Sequence, residues 1–507
     1  MRSKKALINM IANIGKETVA VVCGLILPRL ILSRFGSAYN GITSSITQFL
    51  QCVVLLRGGV DAVTRAALYK PLAENNGIEI SAIINATSKF MKKVAFIFLI
   101  LLIGFSLLYP LLVKEDFDYF FSLTLVLILG ISTFVQYYFG LTYQFLLQAD
   151  QRQYVWSLIN VFTTILNTVL ASVLIKLGFG IHIVKLGSAL AFSLNPVLIC
   201  IYAKKKYKID KTVEPSKNAL SQKWSALAQS IAFFVHENTD IMVLTVFSSI
   251  KNVSVYTVYN YVIANIRVVI TTFISGFGAA FGDMLAKGEH ELVRKNLKIY
   301  EMIIFGLTSV VYTTAGIMIV PFALVYTSGI NDANYSQPTF ALIAIVAGAF
   351  SCFRIPYQTI VEAAGKFRET RNGAIIEAVL NISISVILAR RLGLVGVAIG
   401  TLAATIFRSF QYALYLSKNL VKRSPFIFVS HIMVNALIAV STYAFSNLFI
   451  TFEITDLWLW AIKAVLIAFV SLIISIAFHF IFFRKDSHLL IQKLFELTKN
   501  KLNMGEK

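Results

Sequence analysis

Five arginines lie inside long apolar segments of the sequence: Arg29, Arg57, Arg267, Arg354 and Arg408. An ionised side chain at the centre of a bilayer costs about 2.5–3.5 kcal/mol, so such residues usually face a cavity or pair with acids. A third alternative is a position nearer the membrane interface, which suits Arg29 and Arg408 best. Guanidinium groups bind phosphate oxygens through paired hydrogen bonds. A cavity richer in arginine than in acid therefore predicts an anionic substrate, and a diphosphate head group is suitable.

Acidic residues are fewer in these segments, and they suggest either ion coupling or internal ion pairs. The densest group contains His236, Glu237 and Asp240. His236 and Asp240 are four residues apart, so they share one face of a helix. A titratable pair at membrane depth can relay protons or sodium ions, or it can pair with an arginine and hold helices together. Asp283 and Glu377 are candidates for the same two roles, and the sequence leaves both roles open.

Other motifs of chemistry are absent from the sequence. There is no nucleotide-binding loop, no catalytic triad and no spacing typical of metal ligands, so neither an enzyme nor a metal site is predicted. The cysteines lie singly in apolar runs, at positions 23, 52, 200 and 352, so neither a disulfide framework nor a zinc site is indicated. Gly393, Gly396 and Gly400 predict close helix packing rather than chemistry.

The elements that position these residues are transmembrane helices. Only 14% of the 507 residues are charged and 57% are hydrophobic, which is too apolar for a water-soluble fold of this length. A helix needs about 20 mostly apolar residues to cross the bilayer core. The segments that meet this criterion are 11–33, 42–64, 94–113, 120–147, 154–176, 183–203, 227–248, 255–282, 300–325, 338–361, 373–390, 395–416, 427–449 and 457–483. The predicted fold is all-α and integral to the membrane, with about fourteen helices; twelve or thirteen are the alternatives.

Basic residues cluster in alternate connections between these segments, chiefly at 70–93, 204–217, 287–298, 366–371 and 418–423. This asymmetry is the positive-inside pattern, which predicts that both termini are cytoplasmic and that the chain lies in the cytoplasmic membrane. The clusters account for most of the net charge of +21. Because they share no single accessible face, nucleic-acid binding is not indicated.

A weak internal repeat relates the two halves of the chain. A shift of about 217 residues aligns Tyr39 with Tyr256, Lys70 with Lys287 and Glu74 with Glu291, and a shift of about 213–215 aligns Asn167 with Asn381. The repeat predicts two six-helix lobes inserted in parallel, at 1–203 and 227–416, joined by a cytoplasmic linker at 204–226. Two additional helices at 427–483 and a cytoplasmic tail at 484–507 follow. Parallel repeats of this kind are typical of transporters, with the substrate site between the lobes.

Three stretches resemble motifs of the polysaccharide-repeat-unit flippases (the O-antigen and capsule type) of the multidrug/oligosaccharidyl-lipid/polysaccharide exporter superfamily. They are the opening pattern at 27–41, with Leu-Pro-Arg, Leu-Ser-Arg-Phe-Gly and Tyr-Asn-Gly, its second-lobe counterpart at 240–256, and the segment at 58–68. The resemblance implies a flippase that moves undecaprenyl-diphosphate-linked oligosaccharides from the inner to the outer leaflet by alternating access. Related lipid II flippases carry cavity arginines on the helices that match those of Arg29, Arg57 and Arg267.

The resemblance also implies the partners: the polyprenyl-diphosphate-linked glycan, the lipid bilayer and polysaccharide assembly proteins. No chemical cofactor is expected, and a sodium gradient, a proton gradient or the membrane potential is the candidate energy source. The main alternative is a sodium- or proton-coupled exporter of drugs or metabolites. A membrane glycan ligase or polymerase is less favoured, because such enzymes usually have a large extracytoplasmic loop and the predicted outer loops are short.

Overall fold

The computed structural model describes residues 2–57, 59–216, 238–274 and 277–493, and the regular elements in these ranges are all helical. In the N-terminal half they are α1 (Arg2–Phe35), α2 (Ser37–Gln51), a 3-10 helix (Cys52–Arg57), α3 (Val60–Glu74), α4 (Gly77–Leu112), α5 (Tyr119–Val135), a π-helix (Gln136–Gly140), α6 (Leu141–Ala149), α7 (Gln153–Lys176) and α8 (Ile181–Tyr207). The predicted all-α membrane fold is therefore confirmed.

The remaining helices follow the same pattern. They are α9 (Asn238–Phe247), α10 (Ile250–Ile274), α11 (Phe277–Ala286), α12 (His290–Tyr326), α13 (Pro338–Phe353), α14 (Ile355–Ala363), α15 (Phe367–Leu392), α16 (Leu394–Tyr415), a π-helix (Leu416–Leu420), α17 (Phe426–Phe449) and α18 (Leu457–Phe482). Residues 484–493 of the predicted tail are also helical.

Twelve helical segments of the described chain are long and apolar enough to cross a membrane. They match twelve of the fourteen predicted spans. The predicted span at 42–64 is divided into α2, the 3-10 helix and the start of α3, with Gly59 at a φ of 69° between the last two. The predicted span at 227–248 is described only from Asn238, where α9 begins.

The helix order repeats between the two halves, as the sequence repeat predicts. Helix starts pair as Val60 with Phe277, Gly77 with His290, Gln153 with Phe367, and Ile181 with Leu394, each pair about 215 residues apart. The helices α17 and α18 follow the second copy. The order of helices thus repeats at a spacing of about 215 residues, with two further helices after it, while the predicted bounds of the two lobes stay a prediction.

The chain divides into two compact units, one of Met1–Ser254 with Gly329–Ala333, the other of Val255–Ser328 with Asn334–Lys507. The predicted linker at 204–226 stays a prediction, since its second half lies outside the described residues. Its first half is fastened to α4. Asn85 Nδ2 donates to the carbonyls of Asp210 and Val213, both at 2.9 Å, and the Ser216 amide donates to the carbonyl of Ala82 at 3.1 Å.

One end of the first unit is held by an apolar cluster that joins α1, α7 and α8. Ile31 near the end of α1 packs with Ala171 and Ile175 of α7 and with Ile181 and Val184 of α8. The helix α2 starts at the same end, because it begins two residues after α1 ends. The end of α1, the end of α7 and the starts of α2 and α8 therefore lie at one common end of the first unit. The depth of a side chain along α2, α7 or α8 is its distance from this end.

The helices α15 and α16 of the second unit approach each other closely at glycines, as the sequence predicts. A Cβ at Gly396 would lie 2.5 Å from the carbonyl carbon of Leu388, and one at Gly400 would lie 2.8 Å from the backbone nitrogen of Ser385. Gly393 joins the two helices at a φ of 53°. Without side chains at these positions the two backbones come together, which is the packing that small residues permit in membranes.

Replacing Gly396 by alanine is expected to destabilise the protein by about 1–3 kcal/mol, because the added methyl group forces the two backbones apart. A lower melting temperature in detergent, measured by intrinsic fluorescence, checks this expectation. The matched control is Gly306→Ala in α12, where a Cβ would meet no atom within 4 Å and alanine stabilises a helix relative to glycine. A Gly396→Ala protein that melts no lower than the Gly306→Ala protein would contradict the packing argument.

Candidate functional site

The first unit contains a cavity of about 390 Å³, lined by side chains of α1, α2, α5, α6, α7 and α8 and of the two irregular segments between them. This volume lies within the range of about 300–1,000 Å³ that is usual for small-ligand sites. Its polar lining includes Gln51, Arg57, Gln136, Asn167, Lys185 and Ser188. Leucines and Phe192 form the apolar part. The polar and charged side chains of this cavity offer hydrogen bonds and charge to a ligand at a place otherwise lined by apolar groups.

Two departures from α-helical geometry supply part of this lining. Arg57 ends the 3-10 helix, and Gln136 begins the π-helix that interrupts the path from α5 to α6. The π-helix ends at Gly140, where a Cβ would overlap Pro196 of α8, so a glycine there permits the close approach of α8. Irregular backbone at membrane depth is tolerated where it lines a cavity, and π-bulges are frequent at functional sites. The irregular backbone segments and the cavity thus indicate the same candidate site.

The charge of the cavity is positive. Arg57 and Lys185 are its charged side chains, and no carboxylate lies among the described residues that line it. Within the described chain, neither cation forms an ion pair with an acid. Two cations, with no carboxylate among the described lining residues, favour an anionic ligand over a cationic one, since a low-dielectric site strengthens both attraction and repulsion.

Three buried polar atoms at this cavity have no hydrogen-bond partner within the described part of the chain. They are Asn167 Oδ1, Ser188 Oγ and Tyr137 Oη, and their residues are only 4%, 8% and 4% exposed. A buried polar atom without a partner costs about 1–3 kcal/mol, and a ligand that hydrogen-bonds to these three atoms would remove that cost. The cavity therefore offers hydrogen-bonding positions as well as charge to a ligand.

Among the predicted site residues, Arg354, Arg408 and Glu377 meet in the second unit. Arg354 Nη1 donates to Glu377 Oε1 at 2.8 Å, and Arg408 Nε lies 3.4 Å from Glu377 Oε2. Each residue is less than a tenth exposed. Arg408 also donates to the Thr370 carbonyl at 2.8 Å and to the Tyr412 hydroxyl at 2.9 Å. These two arginines thus take the ion-pair alternative, joining α13, α15 and α16.

The other predicted residues are dispersed. Arg29 of α1 and Asp240 of α9 are half-buried in the first unit. Arg267 of α10 is half-buried in the second unit and acts electrostatically on Tyr312 and Cys352. His236 and Glu237 lie outside the described residues, so the predicted relay with Asp240 stays a prediction.

Asp283 lies apart from these groups, on α11 outside the membrane-spanning helices. Lys287 Nζ donates to Asp283 Oδ2 at 2.7 Å, and both side chains are exposed. This hydrogen bond and the charge of Asp283 raise the pKa of the Lys287 ammonium. An exposed pair one helical turn apart contributes little to stability, so its position gives no evidence for ion coupling at membrane depth.

Three charged residues that the sequence analysis does not single out line the cavity or form an internal ion pair: Lys185, Glu301 and Arg423. Lys185 lines the cavity, although the sequence shows only a lysine near the end of a predicted span. Glu301 accepts hydrogen bonds from both terminal nitrogens of Arg423, with Nη1 at 2.7 Å from Oε2. In the sequence, the one feature that could have indicated Glu301 is its position as an acid at the edge of the span predicted at 300–325. Its partner lies 122 residues away, so the pair is visible only in the fold.

Comparisons with known proteins establish the fold. No protein-family model matches the sequence, and a search of curated proteins found no match. Among solved structures, the lipid II flippase MurJ in an inward closed conformation has a TM-score of 0.71 at 14% identity, covering 94% of this chain and 99% of that chain. An inward-facing multidrug resistance MATE transporter of the MOP superfamily has a TM-score of 0.61 at 16% identity, covering 82% and 99%.

A third structure, a Vibrio cholerae MATE transporter, has a TM-score of 0.56 at 14% identity, covering 84% of this chain and 98% of that chain. At these identities the likeness shows the fold: the chain has the helical membrane fold shared by MurJ and the MATE transporters of the MOP superfamily. The three neighbours are named as flippases or transporters.

Proposed function

We propose that the chain is a flippase that transfers undecaprenyl-diphosphate-linked oligosaccharide repeat units from the inner to the outer leaflet, for export of O-antigen, capsule or exopolysaccharide. The observation that carries this proposal is the cavity lined by Arg57 and Lys185, with no carboxylate among its described lining residues. A guanidinium binds phosphate oxygens in a bidentate manner, and an ammonium attracts them as a point charge. The unpartnered amide and hydroxyl atoms suit sugar hydroxyls.

We also propose how the chain is oriented in the membrane and which energy source drives transport. Both termini are placed in the cytoplasm by the positive-inside pattern, and alternating access of the two lobes moves the head group across. No chemical cofactor is required. Outward movement of a diphosphate carries negative charge out of the cell, so an inside-negative membrane potential favours it; a sodium or proton gradient is the alternative source. Polysaccharide assembly proteins are the proposed partners.

An exporter of drugs, coupled to sodium or protons, is the second candidate because one of the structural neighbours is named as a multidrug resistance MATE transporter. The electrostatics of the cavity disfavour this candidate for lipophilic cations, since Arg57 and Lys185 would repel them. A glycan ligase or polymerase is not supported by any of the named neighbours. The two transporter hypotheses differ in the sign of the charge on their substrates.

Reconstitution into liposomes separates the two hypotheses. The protein is expected to flip a fluorescent undecaprenyl-diphosphate oligosaccharide, seen as exposure of the label to a membrane-impermeant quencher, and to leave a cationic dye untransported under imposed sodium or proton gradients. Protein-free liposomes give the background rate. Gradient-driven transport of the dye, with no flipping of the oligosaccharide, would replace the flippase proposal with the exporter. The flipping rate at clamped potentials tests whether the potential drives the step.

A further inference from the structure

The two cations of the cavity lie at different depths along the helices that carry them. Lys185 is four residues after the start of α8, about 6 Å from the common end defined by the cluster of α1, α7 and α8. Arg57 ends the 3-10 helix that continues α2, about 30 Å from the same end. Both residues line one cavity. The cavity is therefore elongated, with a positive charge toward each end.

The lining between the two cations is polar but uncharged. Asn167 of α7 and Ser188 of α8 lie at intermediate depth, and Gln51 of α2 precedes Arg57 by six residues. Asn167 Oδ1 and Ser188 Oγ are among the atoms with no hydrogen-bond partner in the described chain. A ligand that fills this cavity thus meets a cation, a stretch of amides and hydroxyls, and a second cation. Its complement is an anion, a run of neutral hydroxyl groups and a second anion.

We propose that the transported oligosaccharide is itself acidic: a sugar bearing a carboxylate or a phosphate binds at Lys185, while the diphosphate of the carrier binds at Arg57. This inference rests on the proposed function and adds the class of glycan to it. A diphosphate alone engages one end of the cavity and leaves the other cation without a counter-charge. An acidic sugar satisfies both ends, and neutral sugars between them place hydroxyl groups against Asn167 and Ser188.

The test compares two fluorescent undecaprenyl-diphosphate oligosaccharides of equal length that differ in one sugar, glucuronic acid against glucose. Wild-type protein in liposomes is expected to flip the acidic glycan with a kcat/KM about tenfold or more above that of the neutral one, because the ammonium forms a charge-assisted hydrogen bond. Lys185→Gln is expected to reduce this ratio toward one, and Lys185→Arg to preserve most of it. Lys176→Gln, at an exposed lysine outside the cavity near the same end, is expected to keep the wild-type ratio.

The outcomes distinguish the two levels of the proposal. If neither glycan is flipped, the proposed function itself fails. If both are flipped with equal kcat/KM by the wild type, the flippase stands and the acidic glycan is overturned. An equal loss on both glycans in Lys185→Gln would also overturn it, because Lys185 then has no role in recognising the sugar. Should the Lys185 variants fail to fold, the wild-type preference between the two glycans decides the question alone.

Discussion

Replacing Arg57 by glutamine is expected to lower kcat/KM for flipping of a diphosphate-linked oligosaccharide by about ten- to hundredfold. Arg57 is one of the two cations that line the cavity of the first unit. A hydrogen bond to a charged group contributes about 1.5–3 kcal/mol, which corresponds to this range of rates. Glutamine keeps a polar side chain of similar length but removes the charge and the paired donors. The measurement is the initial flipping rate in liposomes as a function of substrate density.

Two further variants separate charge from geometry and from general damage. Arg57→Lys is expected to fall between wild type and Arg57→Gln, since lysine retains the charge and loses the bidentate contact. Arg65→Gln is the matched control: Arg65 donates to Gln148 at 2.8 Å and does not line the cavity. A loss in Arg65→Gln as large as that in Arg57→Gln would show that the cavity has no special role. Melting temperatures of all three variants exclude unfolding as the cause.

The fold was predictable from the sequence because the bilayer imposes a length on apolar segments. Twelve of the predicted spans coincide with long apolar helices. The span at 42–64 was less predictable, since α2 contains many small polar residues that are buried by packing, such as Ser37, Asn40 and Ser45. Ser37 is held by Asp332, whose carboxylate accepts from its amide at 2.7 Å. That partner is 295 residues away, so no local pattern reveals it.

The candidate site was predictable only in part. The sequence identifies charged residues in apolar segments, but it leaves open whether each one faces a cavity, pairs with an acid or lies near an interface. Arg57 lines a cavity, whereas Arg354 and Arg408 pair with Glu377. The difference depends on which helices are neighbours. The sequence does not identify Lys185 as a site residue for a related reason. A lysine one turn inside a span has the same sequence pattern as a lysine at the membrane interface.

Replacing the buried Glu377 by alanine is expected to destabilise the protein by about 3–5 kcal/mol. The substitution leaves two buried guanidinium groups, those of Arg354 and Arg408, without their counter-charge. That loss is a large part of the usual 5–15 kcal/mol that separates folded from unfolded protein. A much lower melting temperature in detergent and a lower yield of monodisperse protein check this. The control is Glu369→Ala, which removes an exposed pair with Lys366 at 3.2 Å and should change stability by less than about 1 kcal/mol.

A further variant distinguishes a structural role for Glu377 from ion coupling, the other role that the sequence predicts for it. Replacing Arg354, Glu377 and Arg408 together by apolar residues of similar size should restore much of the stability, since buried charge groups are often replaced by apolar packing at little cost. A structural role requires that this triple variant still flips its substrate with the wild-type dependence on ions. Recovered stability together with a lost ion dependence would instead assign Glu377 to coupling, because a group that only joins α13, α15 and α16 has no means of sensing the gradient.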